Sequence, residues 1–129
     1  MFRGNEMKEE NMKPENTRTI HRVISVFGAQ NQKMQALEEL MELQSALFEN
    51  VHRETDNRKN IVEEVADVEI MLAQIKEIFD IQPKEIEEIQ DYKLRRLDHT
   101  IEKYLAKHQN DSSTSEQQIH IDRETSNGR

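Results

Sequence analysis

Two pairs of carboxylates lie within apolar segments of this chain. Glu39 and Glu42 form the first pair, and Glu64 and Asp67 form the second. In a helix, residues three apart share a face about one turn apart, so each pair predicts an acidic helix face. Two such faces in contact would gather four carboxylates, whose mutual repulsion is costly unless a divalent cation neutralises it. The first hypothesis is therefore a metal site.

The spacing alone does not single out these pairs, because the chain contains 26 acidic residues. A Glu followed three residues later by an acid also occurs at four other places, and most such pairs are solvated helix faces. Apolar context distinguishes the two chosen pairs, and Asp67 in particular lies between Ala66 and Val68. Asp is a poor helix former and is rarely buried in mid-helix without a partner, which favours a functional role.

Glutamines extend both acidic faces. Gln74 follows Asp67 by seven residues, and Gln32 and Gln35 precede Glu39 by seven and four. Although glutamine near a helix start is commonly surface, a polar stripe along an otherwise apolar helix is typical of a binding site.

Four helices must position these side chains. We predict them at 16–27, 30–52, 59–80 and 83–106, with Gly28 ending the first and Pro83 in the first turn of the last. Period-2 alternation and hairpin signals are missing, so the predicted fold is all-α. The apolar faces predicted for the four helices are, in order, Ile20, Val23, Ile24 and Phe27; Leu37, Leu40, Met41, Leu47, Phe48 and Val51; Ile61, Val65, Val68, Leu72, Ile75 and Phe79; and Ile86, Ile89, Leu94, Leu97, Ile101 and Leu105.

The composition of the 129 residues suits amphipathic helices, with 34% hydrophobic and 34% charged residues and three glycines. We expect one helical domain at 16–107, a disordered or frayed segment at 1–15 and a disordered polar tail at 108–129. Few aromatic residues make a thin core. We therefore expect a four-helix bundle completed by oligomerisation, as a homodimer or homotetramer.

Several functions are excluded or disfavoured by the same composition. Without cysteine there is no disulfide framework or thiolate site, and the five histidines share no metal-ligand spacing. A net charge of −8 without a basic cluster disfavours nucleic acid as a partner. The sequence has no apolar run of ~20 residues and no signal peptide, so we expect no membrane association and a cytoplasmic location.

The amino-acid sequence around the acids resembles that of a known family, the MazG-like all-α NTP pyrophosphatases. Its signature is Glu-x-x-Glu, a gap of 21 residues here, and Glu-x-x-Asp. The matching segments are GAQNQ at 28–32, EELMEL at 38–43, EEVADVEIML at 63–72 and, where small phage and bacterial members carry a basic segment, KLRRL at 93–97. The resemblance covers about residues 18–105.

This resemblance implies a reaction on nucleotides. Family members hydrolyse (deoxy)nucleoside triphosphates to the monophosphate and pyrophosphate. By position, Glu39, Glu42, Glu64 and Asp67 would hold Mg²⁺, with Mn²⁺ as a substitute, and would be the catalytic residues. A water held by the metal or a carboxylate would attack the α-phosphorus, with one of the acids as general base.

The resemblance also suggests substrate-binding residues. Lys93 and Arg96 would contact the outer phosphates, although basic residues on a late helix more often cover surface. Gln32 and Gln35 would border the base or sugar. Gln74 stands where larger members carry Asn, and its longer side chain could still reach the base or sugar of the substrate.

Two alternatives stay open. One is a non-catalytic helical oligomer or adaptor that keeps the fold and binds partner helices. The other is an enzyme of the same kind that acts on a different pyrophosphate-containing metabolite.

Overall fold

A computed structural model describes residues 12–126 of the chain, with the side chains of residues 12–111. It contains four α-helices, α1 (Pro14–Phe27), α2 (Ala29–Arg53), α3 (Arg58–Ile78) and α4 (Pro83–Ser126). Every regular element in this part of the chain is a helix, which confirms the all-α prediction. Most of the predicted frayed segment, residues 1–11, lies outside the described residues.

Gly28 separates α1 from α2, as predicted. Its φ of 89° lies in the left-handed region that glycine adopts without a Cβ clash. Its N–H donates to the Ile24 carbonyl at 2.9 Å, and its carbonyl accepts the Gln32 N–H at 3.1 Å. One glycine therefore ends the first helix and begins the helix that carries the first acidic pair.

The chain divides into two compact units, with α1, α2 and α3 in the first (Met1–Gln82) and α4 in the second (Pro83–Arg129). The backbone of α4 is helical to Ser126, beyond the predicted helix end at residue 106. No proline or glycine interrupts residues 84–126, so no residue type there breaks the helix. No described helix has the length and apolar content needed to cross a membrane.

Helices α2 and α3 pair closely through a narrow stripe. On α2 this stripe recurs at intervals of four and three and consists of Gln32, Ala36, Glu39, Leu43 and Ala46, all buried or half-buried. The two alanines are 3% and 2% exposed, and such small side chains let the helix backbones approach. The buried apolar side chains of the described residues are Ile20, Ala36, Ala46, Val68 and Met71, a thin core.

The apolar face predicted for α2 does not pack in this unit. Its six residues, Leu37, Leu40, Met41, Leu47, Phe48 and Val51, are each 43–68% exposed. The reason is geometric. Glu39 belongs to the stripe that contacts α3, so the apolar face is rotated away from it by about one residue step of 100°.

The stripe predicted for α3 is partly right. Val68 is buried and Ile61 and Ile75 are half-buried, as expected. Val65, Leu72 and Phe79 are instead 40–58% exposed, and Glu64, Met71 and Ile78, each one position earlier, take the packed side. In α4, Ile86 is half-buried, and the other predicted stripe residues, Ile89, Leu94, Leu97, Ile101 and Leu105, are exposed.

Contacts between α1 and α3 complete the first unit. Ile20 of α1 is buried, and the His21 Nδ1 atom contacts the Glu77 carboxylate of α3. Both polar partners are solvent-exposed. The contact therefore contributes little free energy, and α1 is held mainly by its apolar side chains, of which Ile20 is buried and Val23 and Ile24 are half-buried.

The turn between α2 and α3 is fixed by asparagines. Asn57 directly precedes α3, but its side chain does not cap the helix; its N–H₂ donates instead to the Ala46 carbonyl of α2 at 2.9 Å. Asn50 donates to the Thr55 carbonyl and to the Asn57 side-chain oxygen, each at 3.2 Å. This network sets the register in which the two acidic pairs meet.

We expect Asn57→Ala to lower the free energy of unfolding by about 1–2 kcal/mol, because the Ala46 carbonyl loses its side-chain donor and Asn50 loses an acceptor. Urea unfolding measures the change. The matched control is Asn60→Ala, an exposed site one turn into α3, where we expect a change within about 0.5 kcal/mol. Equal losses in both variants would contradict the role assigned to Asn57.

Candidate metal centre

The α2–α3 pair brings the predicted acids together. One carboxylate oxygen from each of Glu39, Glu64 and Asp67 lies within 4.8 Å of the others. Glu42 adjoins this group, because its carboxyl is hydrogen-bonded to that of Glu64 and interacts with it electrostatically. All four acids therefore belong to one cluster, with Glu42 the more exposed member of the first pair.

The cluster changes the acidity of Glu64. Desolvation raises the pKa of this carboxyl, and the negative charges of Glu42, Asp67 and Glu39 raise it further. The hydrogen bond with Glu42 also raises it, because that bond favours the protonated form. Without a cation, the ionised cluster is therefore an unfavourable arrangement at neutral pH.

Two carboxylate oxygens in the cluster are left without a partner. The Glu39 Oε2 and Glu64 Oε2 atoms are buried and accept no hydrogen bond from the described residues, while Glu39 Oε1 accepts one from Gln35 Nε2 at 3.0 Å. A buried acceptor without a donor is costly, and a charged one more so. A divalent cation would compensate both oxygens.

The donor set fits Mg²⁺. All the candidate ligands are carboxylate oxygens, which are the hard ligands that this ion prefers. Magnesium usually takes only a few protein carboxylates and completes its octahedron with water and substrate phosphates. Glu39, Glu64 and Asp67, with Glu42 beside them, supply such an incomplete set.

The glutamines named from the sequence all lie on this helix pair. Gln35 contacts Glu39 directly. Gln32 and Gln74 are 9% and 2% exposed, and within the described part of the chain the Gln74 Oε1 atom has no hydrogen-bond partner. Gln32 precedes Glu39 and Gln74 follows Asp67 by two turns, about 10 Å. Because α2 and α3 are antiparallel, both displacements lead towards the same end of the pair.

Sequence reasoning missed two residues that shape this polar stripe. Ala36 separates Gln32 from Glu39 on α2, and Met71 separates Asp67 from Gln74 on α3, and both are buried. They divide the acid cluster from the buried glutamines. The intervals of four and three from Gln32 through Ala36 to Glu39 were the signal for this stripe, but the more apolar face of α2 obscured it.

Lys93 and Arg96 belong to α4, in the second compact unit. Lys93 is exposed, and the Arg96 guanidinium carbon lies 5.8 Å from the centre of the Tyr92 ring. Their contact with substrate phosphates stays a prediction.

No protein-family model, curated protein or solved structure matches this chain. The MazG-like assignment therefore stays a hypothesis that rests on the residues themselves.

The raised pKa of Glu64 predicts how stability depends on pH without divalent cations. In the unfolded chain this carboxyl loses its proton near its ordinary value of 4.5, whereas the folded state retains the proton to a higher pH. The folded state then binds more protons than the unfolded state, so the free energy of unfolding falls as pH rises from 4.5 through the folded pKa. Stability from this group is greatest at low pH.

Glu64→Gln removes the charge and keeps the shape. In a chelator-containing buffer we expect a higher Tm than wild type at pH 7 and a smaller decline between pH 4.5 and neutrality. Glu63→Gln, at the adjacent exposed position, should leave both unchanged. A Tm at pH 7 that is lower in Glu64→Gln than in wild type would show that the cluster is not a source of repulsion.

Proposed function

We propose that this protein is a Mg²⁺-dependent nucleoside triphosphate pyrophosphohydrolase, which converts (deoxy)nucleoside triphosphates to the monophosphate and pyrophosphate. The observation that supports this most directly is the acid cluster, in which Glu39 and Glu64 each present a buried carboxylate oxygen without a partner. Such oxygens suit a cation better than they suit a hydrophobic core.

The proposed metal ligands are Glu39, Glu64 and Asp67, with Glu42 completing the set. When bound, Mg²⁺, or Mn²⁺ in its place, supplies positive charge that attracts the triphosphate and stabilises the leaving pyrophosphate. Without that charge the four acids would repel the substrate, so binding of substrate should depend strictly on the metal.

The carboxylates also take part in proton transfer from the attacking water. A water oxygen attacks the α-phosphorus, the bond from that phosphorus to the bridging oxygen breaks, and pyrophosphate leaves. One of the four acids orients this water and accepts its proton. Gln35 positions the first acid, because its amide donates to Glu39 Oε1 and leaves Oε2 for the metal.

Substrate selection is proposed for the polar residues outside the acid cluster. Gln32 and Gln74, buried towards one end of the helix pair, are proposed to recognise the base or sugar, and the unpartnered Gln74 Oε1 atom supports this. Gln35 is proposed to border the same pocket. Lys93 and Arg96 are proposed to contact the outer phosphates.

The assembly is proposed to be a MazG-like four-helix bundle that functions in the cytoplasm as a homodimer or homotetramer. The thin core of the first unit supports association, because so few apolar side chains are buried within it. Neither nucleic acid nor membrane is a proposed partner, in keeping with the net charge of −8.

Incubation with each nucleoside triphosphate and Mg²⁺ tests the activity, with pyrophosphate as the measured product. We expect Asp67→Asn to lower the rate by roughly a hundredfold or more. Even substitution of a residue that only hydrogen-bonds to a metal ligand can lower metal affinity or activity by up to about a hundredfold. The control Asp56→Asn makes the same substitution at an exposed turn residue and should retain the wild-type rate. Wild-type activity in a folded Asp67→Asn variant would refute the assigned site.

The rival function, a non-catalytic adaptor, is favoured by one observation: many large apolar side chains on α2 and α3 are exposed. Thermal stability distinguishes the two. The hydrolase should gain Tm when Mg²⁺ and a non-hydrolysable triphosphate are added together, because both bind only the folded state. An adaptor should not respond. A panel of other pyrophosphate-containing metabolites distinguishes an enzyme of different specificity.

A further inference from the structure

The two buried glutamines lie at the end of the α2–α3 pair where α1 packs. Gln32 is in the first turn of α2, and its N–H donates to the carbonyl of Gly28, the residue that connects α2 to α1. Gln74 is one turn before Glu77 on α3, and Glu77 contacts His21 of α1. Helix α1 packs against both α2 and α3. We name Gln32 and Gln74 the amide site.

In this arrangement no ligand can reach the amide of Gln74. The residue is only 2% exposed, and its Oε1 atom has no hydrogen-bond partner among the described residues. A buried acceptor without a donor is costly, so a donor that reached it would be bound favourably. Such a donor can approach Oε1 only when one of the surrounding helices moves.

Helix α1 is the one of the three that is held most weakly. Helices α2 and α3 contact each other far more extensively than either contacts α1, and asparagine side chains fix the turn between them. The side chains that hold α1 are the buried Ile20, the half-buried Val23 and Ile24 and the exposed pair His21 and Glu77. An element with so few buried apolar contacts opens at a lower free-energy cost than the rest of the unit.

Gly28 provides a hinge for this movement. It is the single residue between α1 and α2, and its φ of 89° lies where other residues meet a Cβ penalty. A Cβ placed on Gly28 would meet nothing within 4 Å, so the space around the joint is open. Because glycine adopts both signs of φ, rotation at this one residue can carry α1 away from the helix pair.

We propose that α1 is a gate over the amide site. It rotates away at Gly28 to admit a nucleotide, whose base or sugar then donates a hydrogen bond to Gln74 Oε1. The identity of this ligand rests on the proposed function, whereas the movement of α1 does not. Because closed α1 competes with the ligand, the apparent affinity is the intrinsic affinity reduced by the fraction of molecules that are open.

A cross-link between α1 and α3 tests the gate. The chain contains no cysteine, so His21→Cys combined with Glu77→Cys introduces thiols only at two exposed positions whose native side chains touch. A short bismaleimide should hold α1 closed and raise the KM for nucleoside triphosphates by roughly tenfold or more. The matched control is the same variant labelled with N-ethylmaleimide, which modifies both thiols without joining them. Equal KM values for the two preparations would overturn the proposal.

A looser α1 should have the opposite effect. Ile20→Val removes one buried methylene from the contact of α1, so we expect the KM to fall by roughly threefold while the Tm also falls. Ile70→Val makes the same change at an exposed site of α3 and should alter neither quantity. If α1 were only a structural support, Ile20→Val would raise the KM or leave it unchanged, and that result would refute the gate.

The variant Gln74→Leu tests the hydrogen bond to the ligand. It removes a buried acceptor that has no partner among the described residues, so the Tm should rise. The KM for nucleoside triphosphates should nevertheless rise by roughly tenfold, because the donor of the ligand loses its acceptor. Inorganic triphosphate has neither base nor sugar, so its Tm gain with Mg²⁺ should match that of wild type. A wild-type KM in Gln74→Leu would refute this hydrogen bond.

Hydrogen exchange measured by mass spectrometry tests the gate without turnover. In the free protein the amides of residues 18–24 should exchange faster than those of residues 64–74, because α1 opens while the helix pair stays folded. Mg²⁺ with a non-hydrolysable nucleoside triphosphate should speed exchange in the first segment and slow it in the second. Equal protection of the two segments in the free protein would refute the gate. Fast exchange in α1 without hydrolysis of any triphosphate would refute only the hydrolase.

Discussion

The central constraint on the structure is an unfavourable contact between α2 and α3, in which carboxylates of the two helices lie close together. One oxygen from each of Glu39, Glu64 and Asp67 lies within 4.8 Å of the others. Burial and repulsion together raise the pKa of Glu64, and this contact does not stabilise the helix pair. Small side chains at Ala36 and Ala46 and the asparagine network of the turn must stabilise it instead.

The packed side of each helix is the side that brings the acids together. The helix α2 carries two stripes, one with the acid and two alanines, and one with large apolar residues, and only one can contact α3. Because the acidic stripe is packed, the apolar stripe is left exposed, and so are Val65 and Leu72 of α3. A core of large apolar residues would have been more stabilising within one chain, but it would have separated the carboxylates.

The packing of this side of each helix also explains why two glutamines are buried. Gln32 and Gln74 continue the packed stripes beyond Ala36 and Met71, so they are buried along with them. The Gln74 Oε1 atom resembles the acids in this respect, since each is a buried polar atom without a hydrogen-bond partner among the described residues.

The sequence by itself determined the helices and the choice of acids. Gly28, Pro83 and the apolar periodicity placed the elements to within a few residues, except at the end of α4, because these signals are local. The spacing of three, together with the apolar context of each pair, identified Glu39 with Glu42 and Glu64 with Asp67. Only the tertiary structure decided that Leu37 and Phe48 face outwards. Either of the two stripes of α2 could pack against α3, and the periodicity of the sequence favours the more apolar one. The tertiary structure also decided that Gln74 is buried, since burial depends on which side α3 turns to its neighbours.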